Sequence, residues 1–478
     1  ITEPSALSNR DARVEKGISP LDVAVRKFGK AAEPFDEDDL HIVTEYLRER
    51  FCDMLPLRRK VGCLSVDQAV NGLPLEYYDR MNMTSSEGYP WIYHRPTREN
   101  CKRWMFEQAD PAREDSDLKV AYAPLAEATT RRLSLFDQGI VPSTIWTDCL
   151  KDERRPLEKI RLGKTRLFSI CPVDYTIVCR QLTLDFSAAF YHHRLDQDHA
   201  VGINMDSIEA HELAQKLRMK SNVWIDGDFS NFDGKINNQV KMAVVKIVNH
   251  WYAVNGDTRW KVARQALFEC VNSFRHIIMN AVYDTHCGVP SGHPLTVVVN
   301  SIINMVYMRC AWRKLVPENM RSMHEMDLNV KFVVYGDDFV AAVRPEATQY
   351  FNRQTLADFF SRYGIGFTPA DKTGALKPTS PWNETTFLKR TWKHYDARDL
   401  IVAPLDLPTA LEETNWIRRC PDEIEALREN IRNCLRHIWG YGRVTYEKYR
   451  TKINAEMRML GLSGITQSFD ELDQEFFP

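Results

Sequence analysis

Residues 331–343 place two adjacent carboxylates in a tight turn between two apolar runs. The turn contains Gly336, Asp337 and Asp338, and the flanking runs are rich in valine, phenylalanine and alanine. This pattern predicts a β-hairpin, because Gly and Asp favour short turns and β-branched residues favour buried strands. An ordinary hairpin turn would use the same residues. Neighbouring carboxylates repel each other, however, and a bound divalent cation offsets that repulsion, so the hairpin is also a candidate metal site.

A second acidic segment follows an apolar strand predicted at residues 222–228. Asp228 ends this strand and Asp233 follows five residues later. If the two strand ends lie side by side, Asp228 and Asp337 can bridge two Mg²⁺ ions ~3.5–4 Å apart, which is the arrangement used for in-line displacement at phosphorus. Asp226 lies on the same face of the strand as Asp228, because side chains two residues apart point the same way. It is therefore either an accessory metal ligand or an acid with no part in metal binding. We predict that Asp226 does not bind the metal directly.

A polar stripe is predicted on the helix that follows the turn at Ser291 and Gly292, with Pro294 near the helix start. The stripe has side chains at positions i, i+4 and i+8, namely Thr296, Asn300 and Asn304. It is either a ligand-facing surface or an ordinary solvated helix face, and spacing alone does not choose between them. His293 has no His or Cys neighbour in the sequence, so we predict a structural role for it.

Composition indicates a globular chain. Of its 478 residues, 44% are hydrophobic and 27% charged, and no segment approaches the ~20 uninterrupted apolar residues of a membrane-spanning helix. Eleven scattered cysteines without a CxxC pair predict reduced thiols rather than disulfides or a zinc site. The start at Ile1 has no signal-peptide pattern and is compatible with a chain cut from a longer precursor.

The formal net charge of -2 argues against nucleic-acid binding, but the charge is unevenly distributed. Residues 151–166 carry a local net charge of +4. The seven basic residues of this segment are Lys151, Arg154, Arg155, Lys159, Arg161, Lys164 and Arg166. The segment is either a solvated, salt-bridged surface or a phosphate-binding one.

Helical periodicity and β-branched runs are both present, so we predict a mixed α+β fold. Predicted helices lie near residues 38–51, 208–219, 237–251 and 422–439, and predicted strands lie at residues 222–228 and 330–343.

Taken together and in this order, these segments resemble the RNA-dependent RNA polymerases of picorna-like positive-strand RNA viruses, among which we expect an insect dicistrovirus or iflavirus. The resemblance covers most of residues 85–390. Asp228 and Asp233 match the family's first palm motif, and the Asp337–Asp338 turn matches its metal-binding turn. Its second palm motif is matched by Ser291, Gly292, Thr296 and Asn300.

The resemblance implies a closed right hand. The fingers would comprise residues 1–192 and 241–285, with the N-terminal stretch bridging to the thumb. The palm would comprise residues 193–240 and 286–390, and a helical thumb residues 391–478.

The resemblance also implies roles for single residues. Asp228 and Asp337, with Asp338 as a third candidate, would hold Mg²⁺, with Mn²⁺ as a substitute metal. Lys372 would protonate the departing pyrophosphate. The ribose 2′-hydroxyl would be recognised by Asp233 and Asn300, with Ser291 nearby. Further nucleotide contacts are expected from Thr296, Lys159 and Arg166.

Contacts with RNA are implied for three further segments. The basic segment would add Lys151 and Lys164. A strand turn would grip the primer end through Leu388, Lys389 and Arg390. The template entrance would be formed by Ser85, Ser86, Gly88, Tyr89 and Pro90, and here Glu87 stands where relatives often carry a small residue.

The function implied is template-directed RNA synthesis that replicates a positive-strand viral genome. Expected partners are the RNA template, the nascent strand, nucleoside triphosphates and a genome-linked protein primer, in the host cytoplasm at membrane-associated replication complexes.

Two alternative functions belong to two other classes of protein. A reverse transcriptase would usually carry a bulky gate near Asn300 and often a nuclease domain, and neither is evident. A non-catalytic RNA-binding or scaffold protein would use the acids only as turn residues.

Overall fold

The computed structural model describes residues 2–113, 115–368, 376–417 and 420–477. Its α-helices are α1 Pro20–Val25, α2 Glu37–Phe51, α3 Val66–Asn71, α4 Ala123–Asp137, α5 Leu157–Arg161, α6 Val173–His192, α7 Ile208–Arg218, α8 Phe232–Lys235, α9 Asn238–Val254, α10 Lys261–Glu269, α11 Thr296–Leu315, α12 Met323–Asn329, α13 Arg353–Arg362, α14 Leu407–Glu412, α15 Glu423–Trp439, α16 Arg443–Met459 and α17 Phe469–Phe476. Short 3₁₀ helices lie at Arg26–Phe28, Trp91–His94, Lys102–Met105, Glu318–Met320, Pro345–Ala347, Trp382–Glu384 and Glu413–Asn415.

The strands are β1 Thr2–Pro4, β2 Phe106–Gln108, β3 Leu118–Val120, β4 Ile145–Leu150, β5 Arg154–Pro156, β6 Leu167–Ile170, β7 Val223–Ser230, β8 Phe274–Ile278, β9 Ala281–Thr285, β10 Val330–Tyr335, β11 Asp338–Val343, β12 Gly366–Thr368, β13 Ser380–Pro381, β14 Thr386–Phe387, β15 Arg390–Thr391, β16 Lys393–Tyr395 and β17 Leu400–Val402. The predicted α+β class is therefore confirmed. The predicted hairpin is β10 and β11, and the four predicted helices are α2, α7, α9 and α15.

Two larger sheets are present among the described residues. One has the strand order β6-β4-β8-β9, in which only the β4–β8 pair is parallel. The other has the order β10-β11-β7-β12, and β13 also pairs with β7. Strand β7 continues to Ser230, two residues beyond its predicted end, and carries Asp228 in its second half.

The chain divides into two compact units. The first comprises residues 1–197, 229–314 and 359–366, and the second comprises residues 198–228, 315–358 and 367–478. The predicted division into fingers, palm and thumb follows different boundaries and stays a prediction. Within the described ranges, no helix is long and apolar enough to cross a membrane.

In the first unit, helix α6 forms the centre of the packing. Most of its side chains are buried, and it contacts α3, α4, α9 and α10. Val173 and Ile177 at its start join a core cluster with Trp91, Met105 and Leu125. A helix buried on nearly all sides holds its neighbours in fixed positions, because close-packed interiors tolerate little movement.

In the second unit, α15 shows how the C-terminal helices pack. Asp422 caps its first turn by accepting a hydrogen bond from the Glu425 N–H. One face is buried at a helical spacing through Ile431, Leu435 and Trp439, and this face joins a cluster that also contains Tyr446 of α16 and Phe469 of α17.

Candidate active site

The two-residue turn between β10 and β11 consists of Gly336 and Asp337, because Tyr335 pairs with Asp338 across the hairpin. Gly336 has a φ of 61°, a backbone conformation that glycine adopts without the strain that a Cβ would add. The turn therefore requires the glycine, and it holds both carboxylates at the end of the hairpin.

Strand β7 brings Asp228 to the same end of the sheet. It pairs antiparallel with β11, and the last pair of this register is Phe339 opposite Gly227. Asp338 and Asp228 are the next residues of the two strands beyond that pair. Both carboxylates are half-buried. Burial, together with the charge of Asp338, raises the pKa of Tyr335. The structure thus brings the predicted acids together at one sheet edge within the second unit.

These acids have the donor chemistry that Mg²⁺ requires. The described part of the chain contains no group of three or more His, Cys, Asp or Glu side chains arranged to hold a metal ion. Mg²⁺ sites in enzymes that act on phosphates, however, usually take one or two carboxylates and complete the shell with water and substrate phosphates. The carboxylates of Asp228, Asp337 and Asp338 fit such an open site.

Asp226 lies on the same face of β7 as Asp228 but has a different environment. It is buried, and its Oδ1 lies 2.8 Å from Nε of Arg353, which is itself only 4% exposed. Its Oδ2 accepts a 2.7 Å hydrogen bond from the Thr386 N–H. Because both carboxylate oxygens of Asp226 have partners inside the protein, the structure gives a physical reason for separating Asp226 from the three candidate metal ligands.

A second polar site lies in the first unit, around Asp233 and Asn300. Asn300 Nδ2 donates a 2.6 Å hydrogen bond to Asp233 Oδ1, and the amide is buried. Asn300 Oδ1 is also buried and has no hydrogen-bond partner among the described residues. Burial raises the pKa of the Asp233 carboxyl, while the charge of Lys27 and the bond from Asn300 oppose that shift. This orphaned acceptor is a place where a ligand hydroxyl can donate a hydrogen bond.

Ser291 and Thr296 form hydrogen bonds with the protein backbone. Ser291 Oγ accepts from the Ser169 N–H at 3.3 Å and donates to the Leu167 carbonyl at 3.5 Å. Thr296 Oγ1 donates to the His293 carbonyl at 2.7 Å, at the start of α11. Asn304 is fully buried, so the stripe on α11 is not a solvated face. A nucleotide contact from Thr296 stays a prediction.

His293 is a structural residue in this turn, as its isolation in the sequence predicted. Its Nε2 lies 3.0 Å from the Tyr175 hydroxyl, and its Nδ1 accepts a 3.1 Å hydrogen bond from the Leu295 N–H. Burial lowers its pKa to about 3, so the ring stays neutral at physiological pH.

Lys27 belongs to this polar site but was not identified from the sequence. Its ammonium donates to the Leu167 carbonyl at 3.3 Å and lies 4.7 Å from the centre of the Phe28 ring. Its carbonyl accepts a 2.6 Å hydrogen bond from Asn231 Nδ2, in the turn before Asp233. Burial lowers the pKa of Lys27, and the charges of Asp233 and Asp148 oppose this. A single lysine in the N-terminal segment carries no sequence signal, because only folding brings it near Asp233.

The basic segment presents cations at its surface. Lys151, Lys164 and Arg166 are exposed, and Lys159 is half-buried. Arg166 Nε donates to Glu153 Oε1 at 2.6 Å, and the charge of Arg166 contributes to the electrostatic environment of Asp233. The Glu153 ion pairs offset part of the positive charge of the segment, in which four cations, Lys151, Arg161, Lys164 and Arg166, are exposed.

The residues of the predicted primer-grip turn differ in exposure. Leu388 and Lys389 form a two-residue turn between β14 and β15 with φ angles of 54° and 59°, and Lys389 is exposed. Arg390, in contrast, is buried and gives both terminal nitrogens to Asp206, at 2.6 and 2.9 Å, and one of them also to the Ala403 carbonyl. The guanidinium of Arg390 thus has partners inside the protein, and its RNA contact stays a prediction. Lys372 lies outside the described residues.

Comparisons with known proteins agree on one family. A family model described as viral RNA-dependent RNA polymerase matches residues 2–455. The chain is 31% identical to the genome polyprotein of Deformed wing virus, over 99% of this chain and 16% of the polyprotein. It is 31% identical to the genome polyprotein of Rice tungro spherical virus (strain Vt6), over 98% of this chain and 14% of that protein. It is 29% identical to the replicase polyprotein of Drosophila C virus (strain EB), over 95% of this chain and 26% of that protein.

A solved structure shares the fold. The Sicinivirus 3Dpol RNA dependent RNA polymerase superposes with a TM-score of 0.81 at 22% identity, over 99% of this chain and 92% of that one. The chain thus matches nearly the full length of a solved polymerase, and between 14% and 26% of the three polyproteins.

Proposed function

The chain belongs to the family of viral RNA-dependent RNA polymerases, and on that premise we propose that it joins ribonucleotides on an RNA template by two-metal nucleotidyl transfer. The observation that carries the proposal is the register of β7 and β11, in which the last pair, Gly227 with Phe339, comes directly before Asp228 and Asp338, beside the turn with Asp337. Two bound Mg²⁺ ions would supply activation of the primer 3′-hydroxyl and charge neutralisation of the leaving pyrophosphate. The three carboxylates would hold these ions.

The basic segment would bind the incoming triphosphate and nearby RNA. Lys159 and Arg166 are proposed to contact the phosphates of the nucleotide, and Lys151 and Lys164 those of RNA. A chain with a net charge of -2 binds polyanions only if its cations are concentrated locally. The exposed cations of this segment support that role.

Sugar recognition is proposed for the Asp233 and Asn300 site. A ribose 2′-hydroxyl would donate its one proton to the orphaned Asn300 Oδ1, and Asp233 would orient that amide by accepting the hydrogen bond from Asn300 Nδ2. A deoxynucleotide would leave buried polar groups unpaired, at a cost of ~1–3 kcal/mol for each group. The site would thereby favour ribonucleotides.

Replacing Asn300 with alanine is expected to lower the preference for ribonucleotides over deoxyribonucleotides about tenfold, because the buried acceptor that distinguishes them is lost. The measurement is the ratio of kcat/KM for matched nucleotide pairs. Asn304→Ala is the matched control, since Asn304 is buried one turn further along α11 and should leave the ratio unchanged. An unchanged ratio in Asn300→Ala would remove this residue from sugar selection.

Lys372 is proposed as the general acid that protonates pyrophosphate. Lys372→Leu should slow the chemical step about 10²-fold and leave nucleotide affinity largely intact. Rapid-quench kinetics separate the two quantities. Weaker nucleotide binding with an unchanged chemical step would instead assign Lys372 to positioning.

The broader biological role is proposed from the relatives. Because they are viral polyproteins, we propose that the chain is a polyprotein cleavage product that replicates a positive-strand genome in the host cytoplasm. We also propose that the chain acts in membrane-associated replication complexes and that it extends a genome-linked protein primer.

The direct test supplies the purified chain with a homopolymer RNA template, a short complementary RNA primer, Mg²⁺ or Mn²⁺, and the complementary labelled ribonucleotide. We expect primer extension that requires the template and stops when a chelator is added. A non-complementary nucleotide is the control for templating. No incorporation with either metal would refute the polymerase proposal and leave RNA binding without synthesis, as in a scaffold protein.

A further inference from the structure

A buried ammonium group lies at the base of the hairpin formed by β8 and β9. Lys241 of α9 is 1% exposed, and its Nζ donates to the carbonyl of Val271 and, at 3.0 Å, to the carbonyl of Gly288. Val271 precedes β8, and Gly288 follows β9. A single side chain therefore links both ends of this hairpin to α9.

The position of this cation is unfavourable in itself. Burial of an ammonium whose acceptors are neutral carbonyls costs free energy. Burial accordingly lowers the pKa of Lys241 to about 7, and the charge of Cys287 opposes this shift. An apolar side chain of similar length would fill the same space without that cost. The two hydrogen bonds are therefore the feature that distinguishes the lysine.

The segment that Lys241 holds is packed against the backbone of Asp233. The Gly288 N–H donates to the Ile236 carbonyl at 2.6 Å, and the Val289 N–H donates to the Asp233 carbonyl at 2.9 Å. Gly288 has a φ of 85°, and a Cβ there would lie 2.7 Å from the Asp233 carbonyl oxygen. At such close approach, a displacement of Gly288 would displace the backbone of Asp233 as well.

Asp233 in turn orients the amide of Asn300. Its Oδ1 accepts the 2.6 Å hydrogen bond from Asn300 Nδ2, and the amide oxygen is the buried acceptor that has no partner among the described residues. A buried acceptor that the protein leaves without a donor points to a ligand. Lys241 is thus connected to this acceptor through Gly288 and Asp233.

We propose that Lys241 is a positioning residue for sugar selection. By holding the Gly288 carbonyl, it fixes the backbone of Asp233 and hence the amide that receives the ribose 2′-hydroxyl. A hydrogen bond weakens steeply when its geometry departs from the optimum, so small shifts of the amide reduce discrimination. The ammonium acts through the protein backbone and does not contact the nucleotide. The inference rests on the proposed function, in which Asn300 selects the sugar.

A lysine that only stabilises the fold makes a different prediction. A loss of stability lowers the amount of active protein, and it reduces the incorporation of ribonucleotides and deoxyribonucleotides by the same factor. A loss of positioning reduces ribonucleotide incorporation selectively, because only the ribonucleotide carries the 2′-hydroxyl. The ratio of kcat/KM for matched nucleotide pairs therefore separates the two roles.

The test replaces Lys241 with methionine, which keeps an apolar stem of similar length and removes the ammonium. We expect the ratio of kcat/KM for ribonucleotide over deoxyribonucleotide to fall about fivefold, with the loss on the ribonucleotide side. Lys241→Gln, which keeps N–H donors on a slightly shorter side chain, should show a smaller fall. It is also the second variant if the methionine variant does not fold.

Arg264→Met is the matched control, because it removes another fully buried cation of the same unit, whose partners are Asn249 and Asp257. We expect it to melt at a lower temperature than the parent, since it leaves a buried carboxylate unpaired, and to keep the parental sugar ratio. A fall in the ratio as large as that of the lysine variants would show that instability alone changes sugar selection, and it would overturn the inference.

The double variant Lys241→Met with Asn300→Ala tests the connection between the two residues. If Lys241 acts through Asn300, its replacement should not lower the ratio further once the amide is absent. Additive losses, or a parental ratio in both Lys241 variants, would overturn the inference. RNA synthesis by the parent is measured in parallel. A parent that makes RNA and loses discrimination in Asn300→Ala but not in Lys241→Met refutes only the role of Lys241, whereas a parent that makes no RNA refutes the proposed function.

Discussion

Asp228→Asn is expected to lower the rate of RNA synthesis by ~10³-fold or more while the chain remains folded and still binds RNA. The amide keeps the shape of the carboxylate but removes the charge that a divalent cation needs, and metal stabilisation of a phosphoryl transition state is worth several kcal/mol. Like charges on adjacent strands are mildly destabilising, so the loss of one of the charges that follow the Gly227–Phe339 pair should not lower stability. Initial rates across a Mg²⁺ titration and thermal melting measure the two effects.

The same strand supplies a matched control. Asp226→Asn makes the identical chemical change two residues earlier on the same face of β7, where the carboxylate is paired with Arg353. We expect this variant to melt at a lower temperature and to keep the Mg²⁺ concentration for half-maximal rate. If Asp228→Asn retained activity, or if Asp226→Asn shifted the metal dependence as strongly, the assignment of the two acids would be wrong.

The sequence predicted those parts of the fold that depend on neighbouring residues. The hairpin of β10 and β11 follows from β-branched runs around a glycine that must adopt a positive φ, and α15 follows from apolar residues at helical spacing. The order of the acidic segments also predicted that Asp228 and the Asp337–Asp338 turn belong together, and the strand register brings them to one edge. The hairpin and helix signals are local in the sequence, and the order of the acidic segments is the basis of the family resemblance.

The remaining features depend on partners far apart in the chain. Lys27 lies near Asp233 only in the folded unit, and nothing in the residues around it indicates this. Arg390 stands in a segment typical of RNA contact, yet a carboxylate 184 positions away takes its guanidinium. Whether a charged residue in a motif is available to bind a ligand therefore depends on whether the fold brings an oppositely charged side chain next to it.

The polar stripe on α11 shows a related limit of sequence patterns. Thr296, Asn300 and Asn304 have the spacing of a solvated face, and the same spacing fits a ligand-facing surface. The contacts of these side chains distinguish them. Thr296 bonds to the backbone at the helix start, Asn300 is buried and bonds to Asp233, and Asn304 is fully buried. Only tertiary packing determines these contacts.

Arg353→Met is expected to destabilise the second unit by ~3–5 kcal/mol, because it leaves the Asp226 carboxylate buried without its counter-charge. It also removes hydrogen bonds from the guanidinium to Ser380 Oγ at 2.9 Å and to the Lys377 carbonyl at 3.2 Å. Urea unfolding gives the midpoint, and hydrogen exchange of the β7 amides reports whether the loss is local to the strand that carries Asp228.

The double variant Asp226→Asn with Arg353→Met separates charge from packing. Without the carboxylate no buried charge is left unpaired, so the pair of changes should cost less than the sum of the single changes. Additive costs would show that Arg353 acts through its hydrogen bonds to Ser380 and Lys377 alone. A coupled result would mean that the ion pair of Asp226 with Arg353 stabilises β7 two residues before Asp228, the proposed metal ligand.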